Sequence, residues 1–353
     1  MLSSRARHRV FSAGFGAVAA TRADRWLAPA ARGSGVILTF HHVHPDPPGA
    51  YAPNALLSIT PAFLDRVLTT LRQRGFALIG LDEVPARLAG GDPPFAVLTF
   101  DDGYRDNAEH AAPVLARHDA PWTLFVASAF AQGGGRLWWI ELERAISRMD
   151  RVRLPRSAEA PAVDLPAQDA DEKAAAFERV YRLLRAGSEE RLLEAIAGLC
   201  AEAGLAHGDV ARELCLTWSE LGGVGRDARV TFGAHTLTHP MLAKHDDARV
   251  RRELGESRAR LEETLGRPIR HVSYPVGDPT SAGPREFAIA RDLGFATGVT
   301  TRPGHLFAGH RDHLHALPRV SVNGLHQTDA ALASLLSGVP FLAWNRGRRL
   351  NVD

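Results

Sequence analysis

Cysteine is nearly absent from this chain: its 353 residues include two, Cys200 and Cys215. Their spacing fits neither a metal-binding nor a redox motif. Both are expected to be small buried apolar residues, in keeping with a reducing compartment. Long apolar runs are missing too. No stretch of about 18 apolar residues occurs, so no membrane-spanning helix is expected. An excess of one charge is also lacking: 42 Lys and Arg stand against 40 Asp and Glu, a formal net charge of +2. General electrostatic attraction to nucleic acid is therefore not expected. No internal repeat or low-complexity tract stands out. An apolar content of 45% and a charged content of 23% are those of an ordinary globular protein, with room for one large domain or two small ones.

The first residues superficially resemble a secretory leader, with Arg5, Arg7 and Arg9 ahead of FSAGFGAVAA. That weakly apolar stretch is short and runs into Thr21, Arg22 and Asp24. Residues 1–33 therefore read as an amphipathic or poorly packed extension. A cytoplasmic location is expected, with membrane association or export as the alternatives.

Beyond residue 34, apolar runs alternate with helix-like segments. Residues 36–40, 96–100, 123–127, 230–233 and 271–274 are bounded by Gly, Pro and Asp and predict buried parallel strands. Thr60 and Pro61 open a helix whose apolar stripe is Phe63, Leu64, Val67, Leu68 and Leu71, ended by Gly75. A second helix is predicted over 246–265. The alternation predicts an α/β fold with a parallel sheet. Residues 149–215 break the rhythm. They predict a loop followed by two amphipathic helices, over 172–184 and 189–203, as a helical insertion.

The chemistry concentrates at residues 97–106, VLTFDDGYRD. An apolar strand runs into adjacent carboxylates, Asp101 and Asp102, and Gly103 permits a turn. Consecutive strand side chains face opposite ways, but a strand end relaxes that rule. Far downstream, GAHTLTHP supplies His235 and His239, whose four-residue spacing lets two imidazoles converge on one ion. Two histidines and one carboxylate leave coordination positions open for water and substrate, as in catalytic Zn²⁺ sites. Trp138 and Trp139 open the insertion, and their aromatic faces are expected either to pack between barrel and insert or to line a groove on which a sugar ring stacks.

TFDDGYRDN and HTLTHP resemble the two signature motifs of the polysaccharide deacetylase family, carbohydrate esterase family 4. ILTFHHV, SYPVG and LPRVSVNG extend the resemblance over residues 34–325, close to the bacterial exopolysaccharide-type members. It implies a distorted (β/α)7 barrel over residues 34–330, followed by a tail over 331–353. It implies metal-dependent removal of N- or O-acetyl groups from a bacterial polysaccharide or oligosaccharide precursor. It further implies Asp101 as the catalytic base, with Asp102, His235 and His239 on Zn²⁺, or on Co²⁺ or Ni²⁺. The Val276 N–H would serve an oxyanion hole. The general acid is expected to be His41, with His42 or one of His305, His310, His313 and His315 as alternatives. Tyr274, Pro275, Arg319 and Trp139 are expected as substrate contacts. In SYPVG, Ser273 stands where the family commonly has Arg beside the base, and Arg319 is the available substitute. Two other readings accompany this one: a metal-dependent hydrolase of non-sugar C–N bonds, and a non-catalytic glycan-binding barrel.

Overall fold

Seven short segments become parallel strands that close on themselves. The computed structural model describes residues 4–90 and 93–352. Residues 1–3 of the extension, and the side chains of residues 4–7, Arg5 and Arg7 among them, lie outside the description. The barrel strands are β1 (Gly35–Phe40), β2 (Phe95–Phe100), β3 (Trp122–Val126), β4 (Val230–Ala234), β5 (His271–Ser273), β6 (Thr297–Pro303) and β7 (Leu317–Ser321). Hydrogen bonding runs β1–β7–β6–β5–β4–β3–β2 and returns from β2 to β1. A short strand, Ala77–Leu78, is added beside the start of β2. The ring is uneven. β1 pairs with β2 along its whole length but meets β7 only at Leu38 and Thr39. The β6–β7 register shifts between Val299 and Pro303. The result is a distorted (β/α)7 barrel of α/β class.

The first five strands lie within a residue of the predicted runs. β6 and β7 are not marked by such runs, because TGVTTRP and LPRVS mix Thr, Arg and Pro among their apolar residues. Every residue of β1 and β2 is buried, as in parallel strands covered on both faces. Period two divides them. Ile37, Val97, Phe125, Val299 and Leu317 cluster inside the barrel. Val36, Leu38, Leu98, Phe100 and Leu124 join the outer core beneath the helices. A Cβ on Gly233 would lie 2.3 Å from the Phe125 ring, so a glycine here lets that ring fill the barrel's middle. The same alternation makes Thr39, Thr99, Ser273, Arg319 and Ser321 the next inward positions toward the C-terminal mouth, followed by His41, Asp101 and His235 just beyond the strand ends.

The two helices predicted outside the insertion start and stop close to their predicted bounds. The Thr60 hydroxyl accepts from the Phe63 N–H at 3.1 Å, a contact worth about 1 kcal/mol, and Gly75 ends the segment at φ +78°. Asp246 caps the Asp247–Leu265 helix and Gly266 closes it in the left-handed conformation.

The insertion lies between β3 and β4 and differs from its predicted form. Its opening is an antiparallel hairpin, Arg151–Leu154 against Val163–Pro166, rather than a loop. Four-residue strands with two exposed arginines carry too little apolar signal to read in advance. The helices Ala170–Ala186 and Glu189–Glu202 follow. Together with the preceding Trp138–Ser147 helix they bury a core of their own, which includes Trp138, Trp139, Phe177, Val180 and Cys200. Both cysteines are buried and free.

The division at residue 330 falls inside a helix, Asp329–Ser337. Its Leu332 and Leu336 join the main core, and the Ser4–Ala20 helix packs against it. Among the described residues, no helix is long and apolar enough to cross a membrane.

Candidate active site

Strand alternation carries Asp101 into the barrel mouth and would turn Asp102 away. The backbone prevents that: Asp102 has φ +71° and Gly103 φ +69°, which swings the second carboxylate back toward the mouth. The same device recurs after β4, where Thr236 and His239 both have φ +65°, and after β5, where Val276 has φ +61°. Left-handed backbone is uncommon outside glycine and costs roughly 1–3 kcal/mol per residue. A buried Glu253 from the Asp247–Leu265 helix offsets part of that cost. Its carboxylate accepts from the N–H groups of Leu237 and Thr238 at 3.1 and 2.8 Å and from the Thr238 hydroxyl at 2.7 Å. Sequence reasoning does not single out Glu253, since an acidic residue on a charged helix carries no distinguishing pattern.

This bracing brings Asp102, His235 and His239 together. Both Nε2 atoms lie 3.3 Å from Asp102 Oδ1, and all three side chains are buried. His235 Nδ1 donates to the Ser273 carbonyl at 2.7 Å. That bond leaves its Nε2 as the free ligand atom, the usual outer support of a metal-binding histidine. Asp102 Oδ1 is buried without a well-formed hydrogen bond, a costly condition for a carboxylate oxygen unless a cation meets it. Burial opposes ionisation of Asp102, yet the facing His235 and His239 imidazoles hold it well below the usual carboxylate range. Burial likewise disfavours a charged His235, but Asp102 and Asp101 raise its pKa above the ordinary value. Two imidazoles and one ionised carboxylate, converging on an unsatisfied buried oxygen, fit a divalent transition metal.

Asp101 has a different partner. Arg319 on β7 donates from Nη1 to Oδ1 at 2.8 Å and from Nη2 to Oδ2 at 2.6 Å. The same guanidinium donates to the Thr300 carbonyl, the Thr99 hydroxyl and the Ser273 hydroxyl, and it lies over the Phe125 ring. Ser273 Oγ in turn donates to Asp101 at 3.3 Å. Burial opposes ionisation of Asp101, but the adjacent Arg319 charge holds its pKa below the ordinary value. Arg319 is fully buried beneath the carboxylate and orients it. It is not on the cavity wall, contrary to its expected substrate contact.

A cavity of about 580 Å³ opens over these groups. Its floor holds Asp101, Asp102, His235, His239, His41 and Val276, and one wall comes from the insertion, through Trp139, Phe177 and Tyr181. The Trp139 ring centroid is 4.9 Å from that of His239. Among the described residues, no acceptor takes the Val276 N–H. Burial lowers the His41 pKa, although Asp102 and Asp101 act to raise it. The other histidines lie elsewhere. His42 is bonded to Asp106, His305 lies between the carbonyls of Arg32 and Leu335, and His315 meets the Phe295 carbonyl. His310 sits against the Phe307 backbone, and His313 is exposed. Tyr274 and Pro275 are buried away from the cavity and do not supply the expected substrate contacts. Tyr274 follows the inward Ser273, so alternation sends its ring into the outer core, where its hydroxyl donates to the His315 carbonyl.

The family profile described as polysaccharide deacetylase matches residues 89–151 and 212–298. The first stretch contains Asp101 and Asp102, and the second contains His235, His239 and Val276. The chain carries a polysaccharide deacetylase domain. The interval between the two stretches of that domain, residues 152–211, is occupied by most of the insertion. His41 and Arg319 lie outside the matched stretches. No curated protein matches the chain by sequence. The deacetylase domain shares its fold with several solved structures. The Streptococcus pyogenes deacetylase PplD, in complex with acetate, is 20% identical, with 82% of this chain and 92% of that one covered and a TM-score of 0.52. A polysaccharide deacetylase from Bacillus cereus is 17% identical over 86% and 68% of the two chains, with a TM-score of 0.53. IcaB from Ammonifex degensii is 19% identical over 86% and 97%, with a TM-score of 0.50.

Proposed function

We propose that the protein is a metal-dependent deacetylase that hydrolyses N-acetyl, or O-acetyl, groups of a bacterial polysaccharide or its oligosaccharide precursor. The observation that carries this reading is the pair of adjacent carboxylates with different surroundings. Asp102 faces two histidines with an unsatisfied buried oxygen, while Asp101 is clamped by Arg319.

Asp102, His235 and His239 would hold Zn²⁺, or Co²⁺ or Ni²⁺. A bound divalent cation supplies polarisation of an acetyl carbonyl and lowers the pKa of water to about 7. The protein's own groups do the rest. Asp101, kept ionised and oriented by Arg319, accepts the proton of the attacking water. The Val276 N–H, set by its left-handed backbone, donates to the oxygen on which negative charge develops. His41 on the cavity floor delivers a proton to the leaving amine. The aromatic wall of Trp139, Phe177 and Tyr181 stacks on sugar rings. The acetate held by PplD is the product this reaction releases.

The test is acetate release from N-acetylated oligosaccharides, with and without a chelator, by the parent and by Asp101→Asn. Chelator-sensitive release that falls by about 10²–10⁴-fold in Asp101→Asn is expected, from the usual contribution of a general base. Saccharide binding without any turnover in the metal-loaded parent would instead mark a glycan-binding barrel.

A further inference from the structure

Asp106 lies five residues after Asp101, in the helical segment that follows the Asp101–Gly103 turn, and serves a separate cluster. Its Oδ1 is engaged by the Val43 N–H at 3.1 Å and the Asn107 side-chain amide at 2.8 Å. Its Oδ2 faces two imidazoles, with His42 Nδ1 at 2.6 Å and His44 Nε2 at 3.3 Å. The three ligand atoms lie within 4.8 Å of one another. His42 is pinned by stacking on Tyr104, with ring centroids 3.6 Å apart. Side-chain exposure is 10% for His42 and 8% for Asp106 but 48% for His44, so the cluster is walled on one side and open to water on the other. A π-helical turn, Asn107–Ala111, begins directly after Asp106; such turns are rare and recur at functional sites. Its His110 brings a third ring to within 6.3 Å of His44.

We propose that His42, His44 and Asp106 form a second divalent-cation site, distinct from the one around Asp102. A buried carboxylate that only needs an ion pair is satisfied by one histidine. Here a second imidazole nitrogen is directed at the same oxygen, while the other oxygen is tied down from behind. That is the arrangement of a ligating carboxylate with its outer support in place. Two imidazoles and one carboxylate select Zn²⁺, Co²⁺ or Ni²⁺ over Ca²⁺ and Mg²⁺, and water completes the open position. The ion would join the loop after β1 to the loop after β2. His41 sits between β1 and His42, and its carbonyl accepts from Asn107 at 2.7 Å, so this site would set the position of the His41 backbone.

The experiment loads the full chain with Zn²⁺, removes loose metal by gel filtration and measures zinc per chain. The parent is expected to hold about two ions, His44→Gln about one, and the His235→Gln/His239→Gln double variant about one. His44 is half exposed, so His44→Gln is expected to fold, and its circular dichroism checks this. As a second readout, Co²⁺ added to the double variant gives a tetrahedral absorption spectrum that His44→Gln in that background abolishes. A parent holding about one ion that vanishes with the His235 and His239 substitutions overturns the proposal, as does a His44→Gln protein holding as much zinc as the parent. Zinc retained only through His44 upholds this site and removes the metal from the proposed catalytic one.

Discussion

Asp101 and Arg319 stand 218 residues apart in sequence and meet through two parallel hydrogen bonds of 2.8 and 2.6 Å. Both side chains are buried, so this is the planar two-pronged pairing that arginine, and not lysine, can make. It accounts for a serine at position 273. The guanidinium arrives from β7, and the Ser273 hydroxyl bonds to both partners.

Arg319→Gln removes the charge that holds the Asp101 pKa down. The acid limb of the kcat/KM profile is then expected to move to higher pH, with lower activity on the plateau. Breaking a buried pair typically costs about 3–5 kcal/mol, measurable by urea unfolding. A variant that loses stability while its acid limb stays in place would show that Arg319 supports the fold without orienting the base.

Glu253→Gln weakens the brace on the 235–239 loop without touching any proposed metal ligand. Metal affinity is expected to fall about 10–100-fold, as for other outer supports of metal sites, read by competition with a chromogenic chelator. Unchanged affinity would place the loop's order elsewhere.

Val276→Gly keeps the N–H proposed for the oxyanion hole and relieves a β-branched residue at φ +61°. The kcat is expected to stay within a few-fold of the parent, because oxyanion stabilisation uses the backbone. A loss of 10²-fold or more would assign the role to the side chain instead.

The metal-free protein carries a pH signature of its own. The folded pKa values of Asp101 and Asp102 lie below their unfolded values. Their stabilisation is therefore full above about pH 4 and is lost as pH falls through the folded values. His235 has the opposite sign: its folded pKa is raised. Its contribution is full below about pH 6.5 and is lost as pH rises through the folded value. Urea midpoints in EDTA are expected to be highest between these limits. Asp102→Asn is expected to flatten both slopes.

Four candidate site residues, Asp101, Asp102, His235 and His239, can be picked out from two short stretches of the chain. An apolar run into Asp-Asp-Gly and a pair of histidines four residues apart are local patterns, legible because strand and turn rules act over a few residues. The cap at Thr60, the bounds of the 246–265 helix and the first five barrel strands are legible for the same reason. How the two stretches meet depends on the closure of the barrel. β6 and β7 mix polar with apolar residues, so no apolar run announces them, and the hairpin of the insertion is too short to. Closure of the ring then sets Ser273, Arg319 and Asp101 on inward positions near one height, while the same parity turns Tyr274 outward. Which distant residue clamps the base is a question of barrel register, and register is set by packing across the whole ring rather than by any neighbour in the chain.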